Sequence, residues 1–135
     1  MWIDLRGNGR WRLVVLVITA LALFWRLPGL FANGFQADEA LFASFARTIA
    51  VWRDPLLVLQ PVDKPPLLFY AQAAFYPMFG PVQWAARLPD FIASILLIPL
   101  TARLVWRWYG DGLAAVMTAV LLAFSPLAIQ FSPTA

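Results

Sequence analysis

The sequence predicts an all-α integral membrane fold: three transmembrane helices, with two interfacial helices in the first external loop. Composition is the first observation behind it. The 135 residues are 62% hydrophobic and 13% charged, where a soluble domain has roughly 45–50% apolar and about 25% charged residues. The second is the gathering of apolar residues into three long blocks, about 11–30, 84–108 and 112–131. Blocks of this size approach the roughly 20 residues that cross a hydrocarbon core.

The first block contains an uninterrupted apolar run from Leu13 to Trp25. Arg12 and Arg26 flank it, placed to snorkel outward, and Trp11 and Trp25 suit the membrane interfaces. A cleaved signal peptide is the rival, with Arg6, Arg10 and Arg12 as its basic region and Ala20-Leu21-Ala22 as a cleavage box. That box lies inside the apolar run and is followed by Leu23-Phe24-Trp25, a poor mature N-terminus. An uncleaved anchor is expected.

Residues 31–83 form the external segment, and it is not a loose loop. A helix is predicted over Asp38–Trp52, with Ser44, Arg47 and Thr48 on one face and Leu41, Phe45, Ile49 and Trp52 on another. Arg53-Asp54-Pro55 stops it. A second helix runs from Pro65 or Pro66 to Phe79, opened by Asp63 and tandem prolines and closed by Gly80-Pro81. Helices this apolar outside a span are expected to lie in the membrane interface.

The second span covers 84–108, apolar from Phe91 to Leu100 apart from Ser94. Arg87, Asp90, Arg103 and Arg107 mark its ends. Pro89 falls in the first turns, where a missing N–H is tolerated, and Pro99 predicts a kink. The third, containing Pro126, follows across the short Tyr109-Gly110-Asp111-Gly112 link, so the two helices must form an antiparallel hairpin. Arg6, Arg10 and Arg12 precede the first span while Arg103 and Arg107 close the second. These basic groups share one side of a multi-pass cell-membrane protein, which makes the N-terminus cytoplasmic and the 31–83 segment periplasmic or extracellular.

The chain has no His and no Cys, which excludes thiol nucleophiles, imidazole bases and His/Cys zinc sites. Acid–base chemistry falls to carboxylates, Lys or Tyr. A net charge of +3 spread along the chain serves topology and lipid headgroups, and no basic stripe with interleaved aromatics suggests nucleic acid.

Three sites stand out. Asp38-Glu39 opens the first external helix. Helix capping explains one acid there, worth about 0.3–1 kcal/mol. Two exceed that need and suit a general base or an oxygen ligand to a divalent cation. Asp63-Lys64-Pro65-Pro66 is the second. A cap and turn account for Asp63 and the prolines, whereas a lysine at a helix start suits a phosphate. Arg87 in Ala86-Arg87-Leu88-Pro89 is the third, and like Arg26 and Arg47 it has a plain alternative as a snorkelling anchor.

In this order the features are recognisable. Residues Arg26 to Ala135 resemble the N-terminal part of lipid-carrier-dependent glycosyltransferases of the GT-C fold, among them the protein O-mannosyltransferases and the lipid A aminoarabinose transferases. The matching stretches are Asp38-Glu39 after the first span, Arg47 in the next helix, Lys64-Pro65-Pro66-Leu67, and Ala86-Arg87-Leu88-Pro89 at the second span. The resemblance implies an inverting transfer of a sugar from a polyprenyl-phosphate carrier to an extracytoplasmic acceptor of unspecified identity. Asp38 falls on the position of the catalytic base, or of the acidic group that orients the acceptor, with Glu39 beside it, and Lys64, Arg87 and Arg47 are the cations implied for the carrier phosphate. No metal-ligating set and no certain cofactor is assigned; a divalent cation is left open. Leu41 and Asp63 depart from the aminoarabinose branch, which carries Arg and Glu there. Members of these families continue through many further membrane helices, so residues 1–135 are expected to be an N-terminal fragment, inactive alone. The alternative is a small non-catalytic polytopic membrane protein, a transporter piece or assembly subunit, in which Asp38, Glu39 and Lys64 form structural ion pairs.

Overall fold

A computed structural model describes residues 9–32, 34, 37–58, 62 and 66–131, which leaves Asp63 and Lys64 outside the described residues. These residues form six helices: α1 Arg10–Leu30, α2 Ala37–Ala50, α3 Leu67–Phe79, α4 Gln83–Tyr109, α5 Gly112–Phe124 and α6 Pro126–Phe131. Two of them, α1 and α4, are long and apolar enough to cross a membrane. At a rise of about 1.5 Å per residue they extend roughly 31 and 40 Å, against a hydrocarbon core of about 30 Å.

The third apolar block differs from its expected form. Ser125 takes an extended backbone (ψ 122°) and divides it into the 13-residue α5 and the short α6. Pro126 is the physical reason, because it has no N–H to donate to the carbonyl of Leu122 four residues back. On its own α5 reaches only about 20 Å. At the other expected proline site, α4 continues as helix through Pro99.

The fold divides into two compact units. One comprises residues 1–27 and 92–130 and the other residues 28–91 and 131–135, so the boundary falls within α1 and α4. In the first unit Trp11, Val15, Ile18 and Ala22 of α1 form a buried stripe against Ile98 and Ala102 of α4 and Ala115, Val116, Ala119 and Ala123 of α5. Alanines at 115, 119 and 123 recur every four residues, which lets α5 approach its neighbours closely. The expected short link between α4 and α5 is present, with Gly110 at φ +65° and Asp111 capping α5 by accepting a hydrogen bond from the Leu113 N–H at 2.9 Å. Leu13, Leu16, Val17, Leu21, Phe24 and Trp25 leave the outward face of α1 apolar and exposed, as a lipid-facing surface requires.

Arg26 is not a snorkelling anchor within this unit. It continues the buried α1 stripe and is only 3% exposed. Its Nη2 donates to the carbonyls of Leu122 (2.9 Å) and Ala123 (3.4 Å), and its Nη1 to that of Ser94 (3.3 Å). The arginine therefore occupies the place that the missing amide of Pro126 leaves open, capping the end of α5 with a cation where the helix dipole is negative.

The second unit is built on α2 packed along α3. Phe45 and Ala46 of α2 meet Phe69, Ala73 and Tyr76 of α3, with Leu57, Ala85 and Ala86 completing the cluster. The buried face of α2 centres on Phe42, Phe45, Ala46 and Ile49, one position away from the predicted stripe. Leu41 and Trp52 are exposed instead, and Thr48 is buried because its hydroxyl donates to the Ser44 carbonyl at 3.0 Å. Burying a ring such as Phe69 contributes about 1.5–3 kcal/mol, which outweighs the weak propensity differences along these short helices. Gly80, at φ +81°, ends α3 by returning its N–H to the Tyr76 carbonyl at 2.8 Å.

Candidate active site

Asp38 and Glu39 lie in the first turn of α2, at the positive end of its dipole, yet their environments are opposite. Successive helical residues point about 100° apart. Asp38 is exposed, and its carboxylate has no hydrogen bond or ion pair among the described residues. Glu39 turns inward and is 1% exposed.

Glu39 meets Arg87 of α4. Nη2 of Arg87 lies 3.0 Å from Oε2 and Nε donates to Oε1 at 3.3 Å, a two-pronged contact that only a planar guanidinium supports. The same arginine donates from Nη1 to the Ala32 carbonyl and from Nη2 to the Gly34 carbonyl, both at 2.6 Å. One buried side chain thus ties the start of α4 to the start of α2 and to the connection leading into it. Gln83 adds to this by accepting from the Gly34 N–H at 3.3 Å. A recess of about 400 Å³ opens beside the clamp, edged by Phe31, Ala32, Gln83 and Trp84.

Asp90 is the group that sequence reasoning missed. It lies one helical turn after Arg87, within electrostatic reach of Glu39, and its buried Oδ2 has no hydrogen-bond partner among the described residues. The signal was present as an acid three residues after an arginine, a spacing that puts both on one helix face. No group of three or more carboxylates that could hold a metal occurs among the described residues.

Arg47 lies elsewhere. Nine residues separate it from Asp38, which on a helix means about 13 Å along the axis and opposite faces. It lines a recess of about 210 Å³ with Ser44 and Tyr76. Burial pushes the Tyr76 phenol above its ordinary value, while the charge of Arg47 pulls it down by less. Lys64 lies outside the described residues, so of the predicted site residues the structure brings Glu39 and Arg87 together, leaves Asp38 exposed next to them, and separates Arg47.

Apolar helices with the length to span a membrane, and a clamped acid–base cluster at the start of two of the helices, define a membrane protein with a charged site. Residues 63–135 match the family described as dolichyl-phosphate-mannose-protein mannosyltransferase, and the chain belongs to that family. The match includes Lys64 and Arg87; Asp38, Glu39 and Arg47 precede it. The chain is also 34% identical over 73 residues to the Bacillus subtilis (strain 168) protein named "Putative mannosyltransferase YycA". That alignment covers 54% of this chain and 10% of the relative. No solved structure matches significantly.

Proposed function

We propose that this chain forms the acceptor-side part of a GT-C membrane glycosyltransferase that takes a sugar from a polyprenyl-phosphate carrier on the extracytoplasmic face. The observation that carries this is the division of labour within Asp38-Glu39: one acid is locked by Arg87, the other is exposed immediately beside it. Family membership supplies the reaction class.

In this mechanism the acceptor hydroxyl oxygen attacks the anomeric carbon. Its proton passes to the Asp38 carboxylate, and the bond from the anomeric carbon to the phosphate oxygen breaks with its electron pair leaving on the polyprenyl phosphate. The configuration inverts in a single displacement. Lys64 stabilises the departing phosphate as a cation near a helix start. Glu39 and Arg87 act as positioning residues that hold the first turn of α2, so that Asp38 needs little reorganisation before reaction. The 13 Å offset along α2 leaves Arg47 to more distant parts of the carrier.

Membranes containing the full-length protein, given radiolabelled polyprenyl-phosphate mannose and separately the corresponding sugar nucleotide, test the donor class. Label should pass to acceptor from the lipid-linked sugar alone and fall sharply in Lys64→Ala. Transfer from the nucleotide alone, or an unaltered rate in Lys64→Ala, would overturn the proposal.

A further inference from the structure

We infer that the groove between α1 and α4 around Arg12 and Arg103 is a binding site for an anionic phospholipid of the surrounding bilayer. The groove encloses about 360 Å³ and is lined by Trp11, Arg12, Val15, Leu16, Pro99, Arg103 and Trp106. Nothing in the proposed transfer reaction uses it.

Its construction separates charge from oil. Trp11 and Trp106 stack at a centroid distance of 5.3 Å, which brings the beginning of α1 against the later turns of α4. The Arg12 guanidinium carbon lies 5.6 Å from each ring centroid, so the two indoles hold it by cation–π attraction. Arg103 contributes a second exposed cation to the same groove. Neither arginine has a carboxylate partner among the described residues. Among the described residues their charge is uncompensated and suits an external anion, and the wall deeper along α1 and α4 is Val15, Leu16 and Pro99.

A free phosphate would use the arginines and ignore that apolar wall. A phospholipid uses both, with the headgroup phosphate between Arg12 and Arg103 and the upper acyl chain along Val15, Leu16 and Pro99. Basic pockets between membrane helices bind lipid headgroups in this way, and indoles with an apolar body and polar edge suit the same depth.

Native mass spectrometry of the full chain in neutral detergent, titrated with dioleoyl-phosphatidylglycerol or dioleoyl-phosphatidylcholine, tests the inference. The anionic lipid should be retained preferentially, and inorganic phosphate in millimolar excess should not displace it. Each arginine is expected to contribute about fivefold, so R12Q/R103Q should lose roughly twenty-five-fold in affinity for phosphatidylglycerol. R107Q, which removes an exposed charge outside the groove, should retain the preference. Circular dichroism verifies the fold, and single R103Q serves if the double variant does not insert. Equal retention of both lipids by the unmodified chain would overturn the site. So would an unchanged preference in R12Q/R103Q or in R103Q, a matching loss in R107Q, or displacement by free phosphate.

Discussion

The Arg87 guanidinium lies against the Glu39 carboxylate, Nη2 to Oε2 at 3.0 Å, with both side chains almost wholly removed from solvent. Two ions in such a setting recover their desolvation only through geometry and additional hydrogen bonds, which the Ala32 and Gly34 carbonyls supply. Removing either partner therefore leaves a buried charge without this counter-ion. Arg87→Ala and Glu39→Ala should each destabilise the fold by about 3–5 kcal/mol, and the double variant by clearly less than their sum. Denaturant unfolding in detergent micelles reads this cycle; additive losses would show that the pair is not coupled.

Arg26 donates to the Leu122 carbonyl, the acceptor that the missing amide of Pro126 leaves open, so the two positions are expected to be coupled. Arg26→Leu leaves the Leu122 and Ala123 carbonyls without their cap and should lower stability by about 1–3 kcal/mol. In a Pro126→Ala background the restored amide can donate to Leu122, so the same substitution should cost less. A penalty that is equal in both backgrounds, measured by thermal unfolding, would contradict the capping account.

Gln72 is fully buried on α3, and neither its Oε1 nor its Nε2 has a hydrogen-bond partner among the described residues. An apolar side chain of similar size removes that desolvation penalty. Gln72→Leu is expected to raise stability by about 1–3 kcal/mol, read as an increased melting temperature. A decrease would mean that the amide has a partner in the assembled membrane.

Tyr76 carries a pH dependence. Its folded-state phenol is raised above its ordinary value of 10.0, chiefly by burial. Below that value both folded and unfolded chains are neutral there, and the stabilisation is fully present. As pH rises past it the unfolded chain loses its proton first, and stability falls until the folded phenol also ionises. Unfolding midpoints recorded from pH 8 upward should drop in the alkaline range, and Tyr76→Phe should flatten that drop. Parallel curves for the two proteins would rule out this origin.

Much of this fold was legible from local patterns. The apolar run of α1, the Gly110-Asp111 link and the Gly80 stop each act within a few residues, and each appeared where expected. The errors came where tertiary satisfaction outranked composition. Thr48 is polar but closes its own hydrogen bond on the helix, so it can be buried. Arg26 looked like a helix-end anchor, although its spacing from Trp11, Val15, Ile18 and Ala22 already placed it on the buried stripe. There it is held by the carbonyls of Ser94, Leu122 and Ala123, partners 68 to 97 residues away that no local pattern reveals. At the site, adjacency in sequence suggested that Asp38 and Glu39 share a role. The 100° step between them assigns one to solvent and the other to Arg87.

The most direct test of that division is made on Asp38→Asn in the full-length protein, with sugar transfer and thermal unfolding recorded on the same preparation. Loss of a general base should lower turnover by roughly 10²–10⁴-fold while stability falls by no more than the about 0.3–1 kcal/mol of a first-turn acid, since the Asp38 carboxylate has no side-chain partner to lose among the described residues. Turnover close to the parent's, or a loss matched by unfolding, would contradict the assignment of Asp38 as the reacting acid.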